Sequence, residues 1–104
     1  MEIDIAGRHF QVSPALKKYV TEKAEKLDKY SLKIELTHVI LAVEKFRHLC
    51  EITLRGKDLR MTAKEEAADM YSAFDAAFGN MQLQLRRRHD RVKDHKKKKT
   101  QKAV

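Results

Sequence analysis

The sequence predicts an α+β fold, a two-layer sandwich of order β-α-β-β-β-α in which two helices cover one face of a four-stranded sheet. Three observations carry this reading. Apolar residues alternate at period two in four separate stretches and recur at helical spacing in two others. The stretches fall in that order along the chain. Breakers are scarce, with 3 Gly and 1 Pro in 104 residues, so the connections must be short. A chain of this length has room for one domain with one modest core.

Ile3 and Ile5 alternate with Glu2 and Asp4, and Gly7 closes this first strand. Ser13 stands where a helix N-cap belongs and Pro14 follows at the first helical position. Leu16, Tyr19, Val20 and Leu27 then form one face of a helix over about residues 14 to 29. From Leu36 to Lys64 the period returns to two. Val39, Leu41 and Val43 share a face, as do Cys50, Ile52 and Leu54, and then Leu59, Met61 and Ala63. This is a three-stranded meander with turns near Phe46-Arg47-His48 and at Gly56-Lys57-Asp58. Its opposite face carries His38, Glu44, Glu51, Thr53, Arg55, Arg60 and Thr62 and is polar. Asp69 caps a second helix, from about 69 to at least 93, along the stripe Met70, Phe74, Phe78, Met81, Leu85 and Val92. A right-handed crossover through helix one sets strand one parallel to its neighbour. Residues 1–95 are expected to form the domain, and 96–104, with Lys96-Lys97-Lys98-Lys99, a basic disordered tail.

Apolar content of 42% is close to the globular average of roughly 45–50%. The longest apolar run, Val39 to Val43, is the length of a strand, whereas a membrane span needs about 20 residues. The N-terminus is acidic and strand-like, unlike a secretory signal, and the lone Cys50 has no internal partner for a disulfide. A soluble, cytoplasmic protein is expected. Charge is distributed unevenly. Residues 1–85 hold 13 basic and 13 acidic side chains, and residues 86–104 hold the other 10 basic and 2 acidic, which is the whole net charge of +8. A concentrated field of one sign seeks a polyanion.

Catalysis would need a nucleophile, a base and an orienting group converging on one point, and Cys50 with His38 or His48 are the candidates. Cys50 alternates into the apolar face with Ile52 and Leu54 and reads as core filler, while His38 reads as a sheet-face residue and His48 as a turn residue. The five histidines are scattered, and the nearest pair, His89 and His95, is off the i, i+4 register of two metal ligands. Gly7, Gly56 and Gly79 are isolated, so no phosphate-cradling loop is present. No enzyme activity, metal, cofactor or small-molecule substrate is expected.

The basic end of helix two is different. A charge run is usually a solvated face, but Arg86-Arg87-Arg88 is an arginine cluster, and Arg forks grip phosphate bidentately. On the helical wheel Arg87, Arg91 and Lys98 lie nearly opposite the apolar stripe, with Arg86, Lys93 and Lys97 on one flank. Together with Arg88 and Lys96 these are the candidate RNA-binding residues. An anionic membrane would need apolar residues beside the charges, and only Val92 is available. No helix-turn-helix or basic zipper pattern points to DNA. The layout is similar to the double-stranded-RNA-binding domain, which reads groove shape and phosphate spacing.

Several segments resemble the ribosome hibernation promoting factors, also called protein Y or ribosome-associated inhibitor. They are the opening strand ending in Gly7, Ala15 to Val20 leading to Lys26-Leu27-Asp28-Lys29-Tyr30, and Leu41 to Lys45. Most specific is Asp69-Met70-Tyr71-Ser72-Ala73-Phe74-Asp75 with the later Gln84-Leu85-Arg86-Arg87. The resemblance runs from Met1 to about His95 and implies a short form, or the N-terminal domain of a long form. It implies partners in the 30S subunit with its 16S rRNA and in the 70S ribosome, occupation of the messenger and A- and P-site transfer RNA cleft, and inhibition of translation under stress. It adds Lys23 and Lys26 to the phosphate-binding positions and supports Arg86, Arg87, Arg91 and Lys93. The family's older name, sigma-54 modulation protein, implies an alternative, a regulator binding a protein partner. A general structured-RNA-binding stress protein is a second.

Overall fold

The computed structural model describes residues 1–30 and 33–102, with side chains described as far as Arg88. The order is β1 (Glu2–Arg8), α1 (Pro14–Glu25), a 3₁₀ turn (Lys26–Tyr30), β2 (Ile34–Glu44), β3 (Arg47–Gly56), β4 (Leu59–Ala67) and α2 (Met70–Lys102). The strands lie in the order β1-β2-β3-β4. β1 is parallel to β2 and the other pairs are antiparallel, so the β-α-β-β-β-α sandwich is as the periodicities require.

Helix α1 starts because the Ser13 side chain accepts the Leu16 N–H at 3.1 Å and Pro14 presets the first turn. It is shorter than the stripe suggested. From Lys26 the chain tightens into the 3₁₀ turn, whose i, i+3 eclipse buries Leu27 and Tyr30 together. The β2–β3 connection also differs from expectation. Glu44 pairs with Arg47, so the turn is the two residues Lys45-Phe46, and Arg47 and His48 belong to β3. Lys45 makes this possible by taking φ 54, a left-handed conformation that costs a non-glycine residue roughly 1–2 kcal/mol. At the other hairpin Gly56 ends β3, where a side chain would collide with the Lys33 carbonyl.

One core lies between the layers. Val39, Leu41, Cys50, Ile52, Leu54 and Ala63 from the sheet meet Leu16, Val20 and Leu27 and the α2 stripe Met70, Ala73, Phe74, Ala77, Phe78, Met81 and Leu85, all buried. The expected stripe is thus widened by two alanines that let α2 approach closely. Gly79, the one helical glycine, meets nothing.

Asp69 caps α2 through its carboxylate, which accepts the Ser72 N–H at 2.9 Å and the Ser72 hydroxyl at 2.7 Å. The Ser72 N–H, then its hydroxyl, hold this carboxyl below its ordinary value. Its charged form therefore favours the folded state. That contribution is complete above about pH 4, the ordinary range of a free Asp, and is lost as pH falls through the lower folded value. Asp69→Ala should lower the melting temperature at pH 7 and converge on the wild type near pH 2, as read by circular dichroism. Asp69→Asn, which caps without a charge, should flatten that acid dependence.

Candidate nucleic-acid interface

The arginine cluster is placed by the rotation of α2 about its own axis, and that rotation is set from both flanks. On the flank facing β4, residues four apart form a polar seam. Asn80 Nδ2 donates to Glu65 Oε2 at 2.9 Å, and Gln84 Nε2 donates to the Thr62 carbonyl at 3.1 Å and to Asn80 Oδ1 at 2.9 Å. Arg88 Nη2 donates to the Asp58 carbonyl in the β3–β4 turn at 3.0 Å.

On the flank facing α1, the Tyr19 hydroxyl donates to Asp75 Oδ1 at 2.5 Å and Lys23 Nζ reaches the same oxygen at 3.2 Å. Lys23 also lies over the rings of Tyr19 and Phe78, and Tyr19 packs edge-on against Tyr71 and Phe74. Tyr19, with Asp75 next, raises the Lys23 pKa against partial desolvation. These contacts join α1 and α2 in parallel, both running toward the β3–β4 turn.

With both flanks held, Leu85 points into the core and Arg86 and Arg87 are exposed, 100° and 200° further round the helix. Among the described residues neither makes an ion pair. Lys26 is exposed at the end of α1. The other two described candidates are engaged. Lys23 is clasped by Asp75, and Arg88 is half-buried against the turn. The side chains of Arg91, Lys93, Lys96, Lys97 and Lys98 lie outside the described residues. Of the expected tail at 96–104, the backbone of 96–102 continues α2, and 103–104 lie outside the described residues. On the helical wheel Lys23 falls inside the apolar stripe of α1, which is the sequence signal for its direction; the seam was missed in the sequence, where its trace is the four-residue spacing of Asn80, Gln84 and Arg88.

The chain matches the family model described as sigma 54 modulation protein / S30EA ribosomal protein over residues 3–93. It belongs to this family. It is 35% identical to the ribosome hibernation promoting factor of Salmonella typhimurium over 95 residues, 91% of this chain and all of that one. The N-terminal domain of Thermus thermophilus protein Y superposes with a TM-score of 0.75 at 29% identity, covering 84% of this chain and 98% of that one. A ribosomal subunit interface protein from Coxiella burnetii shares the fold with a TM-score of 0.78 at 23% identity, over 84% and 96%.

The groups that could have served catalysis are dispersed. Cys50 is fully buried beside Ile52 and Leu54, and burial pushes its thiol up to about 12. His38 is on the open sheet face, 2.7 Å from Asp4, and His48 stands in β3 at the far end of the sheet from the arginines. Among the described residues no three His, Cys, Asp or Glu side chains gather as metal ligands. Cys50 should therefore resist iodoacetamide until the protein unfolds. Cys50→Ala should cost on the order of 1 kcal/mol through the cavity it leaves, with RNA binding unchanged. Loss of binding at preserved stability would assign the thiol a functional role.

Proposed function

We propose that this chain is a ribosome hibernation factor. It binds the small ribosomal subunit in the cleft where messenger RNA and A- and P-site transfer RNA lie, and it holds idle ribosomes inactive without catalysing a reaction. This is cytoplasmic work. The observation that carries the reading is the exposed pair Arg86 and Arg87 on a helix whose rotation is locked on both sides. Guanidinium forks carried on a held helix face suit phosphates of structured RNA, which present a fixed spacing. The relatives' name supports the same conclusion, since the chain spans the full length of a hibernation promoting factor.

In this reading Lys26, Arg86 and Arg87 contact phosphate, and Arg91, Lys93, Lys96, Lys97 and Lys98 continue the cationic surface. Lys23 and Arg88 act chiefly by positioning α2. The protein should co-sediment with 30S and 70S particles and not with isolated 50S subunits, and it should lower initiation in a cell-free translation system. Equal recovery with 50S subunits would refute the small-subunit site. Recovery with no ribosomal particle would favour the protein-partner role in the family's older name.

Phosphate binding releases counterions, so log K should fall linearly with log salt at about 0.7–0.9 per phosphate neutralised. Arg86→Ala with Arg87→Ala should reduce that slope by roughly 1.4 to 1.8 and leave the circular dichroism spectrum unchanged, because neither side chain contributes to the core. Salt titration of 30S binding measures both quantities.

A further inference from the structure

The β2–β3 hairpin ends in an aromatic residue that the fold does not use. Phe46 is 92% exposed, far above the other large apolar residues at the surface among the described residues, Met1, Tyr71 and Leu83, none of which exceeds 44%. It occupies the second position of a two-residue turn whose first residue, Lys45, sits at φ 54. A two-residue turn with positive φ at its first position alone ordinarily carries Gly there, which takes that conformation without strain. Neither Lys45 nor Phe46 is there for turn geometry, and at this exposure Phe46 adds nothing to the core.

Exposed cations flank the ring, together with the exposed carboxylate of Glu44 opposite Arg47 across the turn. Lys45 is exposed on one side of Phe46. Arg47 on the other side is held bidentately by Glu66, with Nε to Oε2 at 2.6 Å and Nη2 to Oε1 at 3.2 Å, which fixes the base of the hairpin to β4. β1 runs parallel to β2 and brings Arg8 beside Ala42, so a further exposed cation stands two residues below the turn. This end of the sheet is remote from the arginine cluster. Seventeen helical rises separate Met70 from Arg87, about 25 Å along α2.

We propose that Phe46 stacks on an unpaired base of the RNA to which this protein binds, with Lys45 and Arg8 facing the adjoining phosphates. The proposal rests on the RNA-binding reading above and adds a second contact at the opposite end of the domain. Base–aromatic stacking needs an exposed ring, a fixed backbone and neighbouring positive charge, and the hairpin tip supplies all three. An apolar pocket on a ribosomal protein would also accept a phenylalanine ring, but it would draw nothing from the flanking cations.

The test is affinity for purified 30S subunits. Phe46→Ala should weaken binding roughly 5- to 100-fold, the range a single stacked base supplies, with the salt slope unchanged because no charge is removed. Phe46→Tyr and Phe46→Trp should retain affinity, and Phe46→Leu should behave like Phe46→Ala. Replacing the turn by Lys45→Gly with Phe46→Asn should raise thermal stability while weakening binding. The Phe46→Ala effect should multiply with that of the Arg86 and Arg87 substitutions, since the sites are far apart. Photo-crosslinking from p-benzoylphenylalanine at position 46 should label RNA. Wild-type affinity in Phe46→Ala, full affinity in Phe46→Leu, or crosslinking to a ribosomal protein alone would each overturn the stacking contact while leaving the arginine interface intact. Failure of the wild type to bind 30S subunits would instead remove the reading on which the contact rests.

Discussion

The rotation of α2 on the sheet decides which of its residues meet water, and the apolar stripe does not set it alone. Met70, Phe74, Phe78, Met81 and Leu85 supply the energy, since burying each large side chain is worth roughly 1.5–3 kcal/mol. Ala73 and Ala77 widen the stripe with small residues, and such a surface tolerates a modest turn of the helix about its axis. The polar seams remove that freedom. An individual hydrogen bond contributes only about 0.5–1.5 kcal/mol, and less where it is exposed, so the seams add little to stability beside the core. Their contribution is directional. Asn80, Gln84 and Arg88 hold one flank to β4 and its turn, while Tyr19 and Lys23 hold Asp75 on the other. Arg86 and Arg87 have nowhere left to point but outward.

This arrangement separates folding from binding. The body up to residue 85 carries equal numbers of basic and acidic side chains, so it packs without self-repulsion. The excess cations are gathered on the second half of one helix, where the helix dipole favours positive charge toward the C-terminus. A protein with the same net charge spread evenly would lose both advantages. Its core would form against a diffuse repulsion, and its field would lack a focus to meet phosphates.

Most of the fold was legible because each period is a direct consequence of burial. Ile3 and Ile5 in β1, Val39 and Leu41 in β2, and Phe74, Phe78 and Met81 in α2 must face one core, and the spacing alone reveals the element. Boundaries were less legible where tertiary packing overrode local pattern. Leu27 continues the α1 stripe in sequence, yet it enters the core from a 3₁₀ turn because Tyr30 is buried with it. The β2–β3 turn is shorter than its composition suggests because Lys45 accepts a left-handed φ that a lysine seldom adopts. The site was half legible. The helical wheel turns Arg87 away from the apolar stripe and puts Arg86 on its flank, whereas it is the position of the Asp58 carbonyl that takes Arg88 out of the exposed cluster. Lys23 is assigned to phosphate by resemblance and to Asp75 by geometry, a long-range pairing across 52 residues that no local pattern contains.

Among the described residues the titrating groups that the fold perturbs lie apart from one another. Perturbed groups gather in one cleft where a protein does chemistry, because acid, base and nucleophile must converge on the same atoms. Here each perturbation has its own structural cause and its own place. The Lys23 shift belongs to the clasp between helices, and those of Arg47 and Glu66 to the pair that braces the hairpin. Asp69 caps α2, and Cys50 is shifted by burial inside the core. These sites serve four separate packing problems. The fold exposes two guanidinium forks at one end of the sandwich and a bare aromatic ring at the other. Such widely spaced points can be engaged together only by a partner that is itself large and rigid over about 25 Å, which structured RNA is and a small substrate is not.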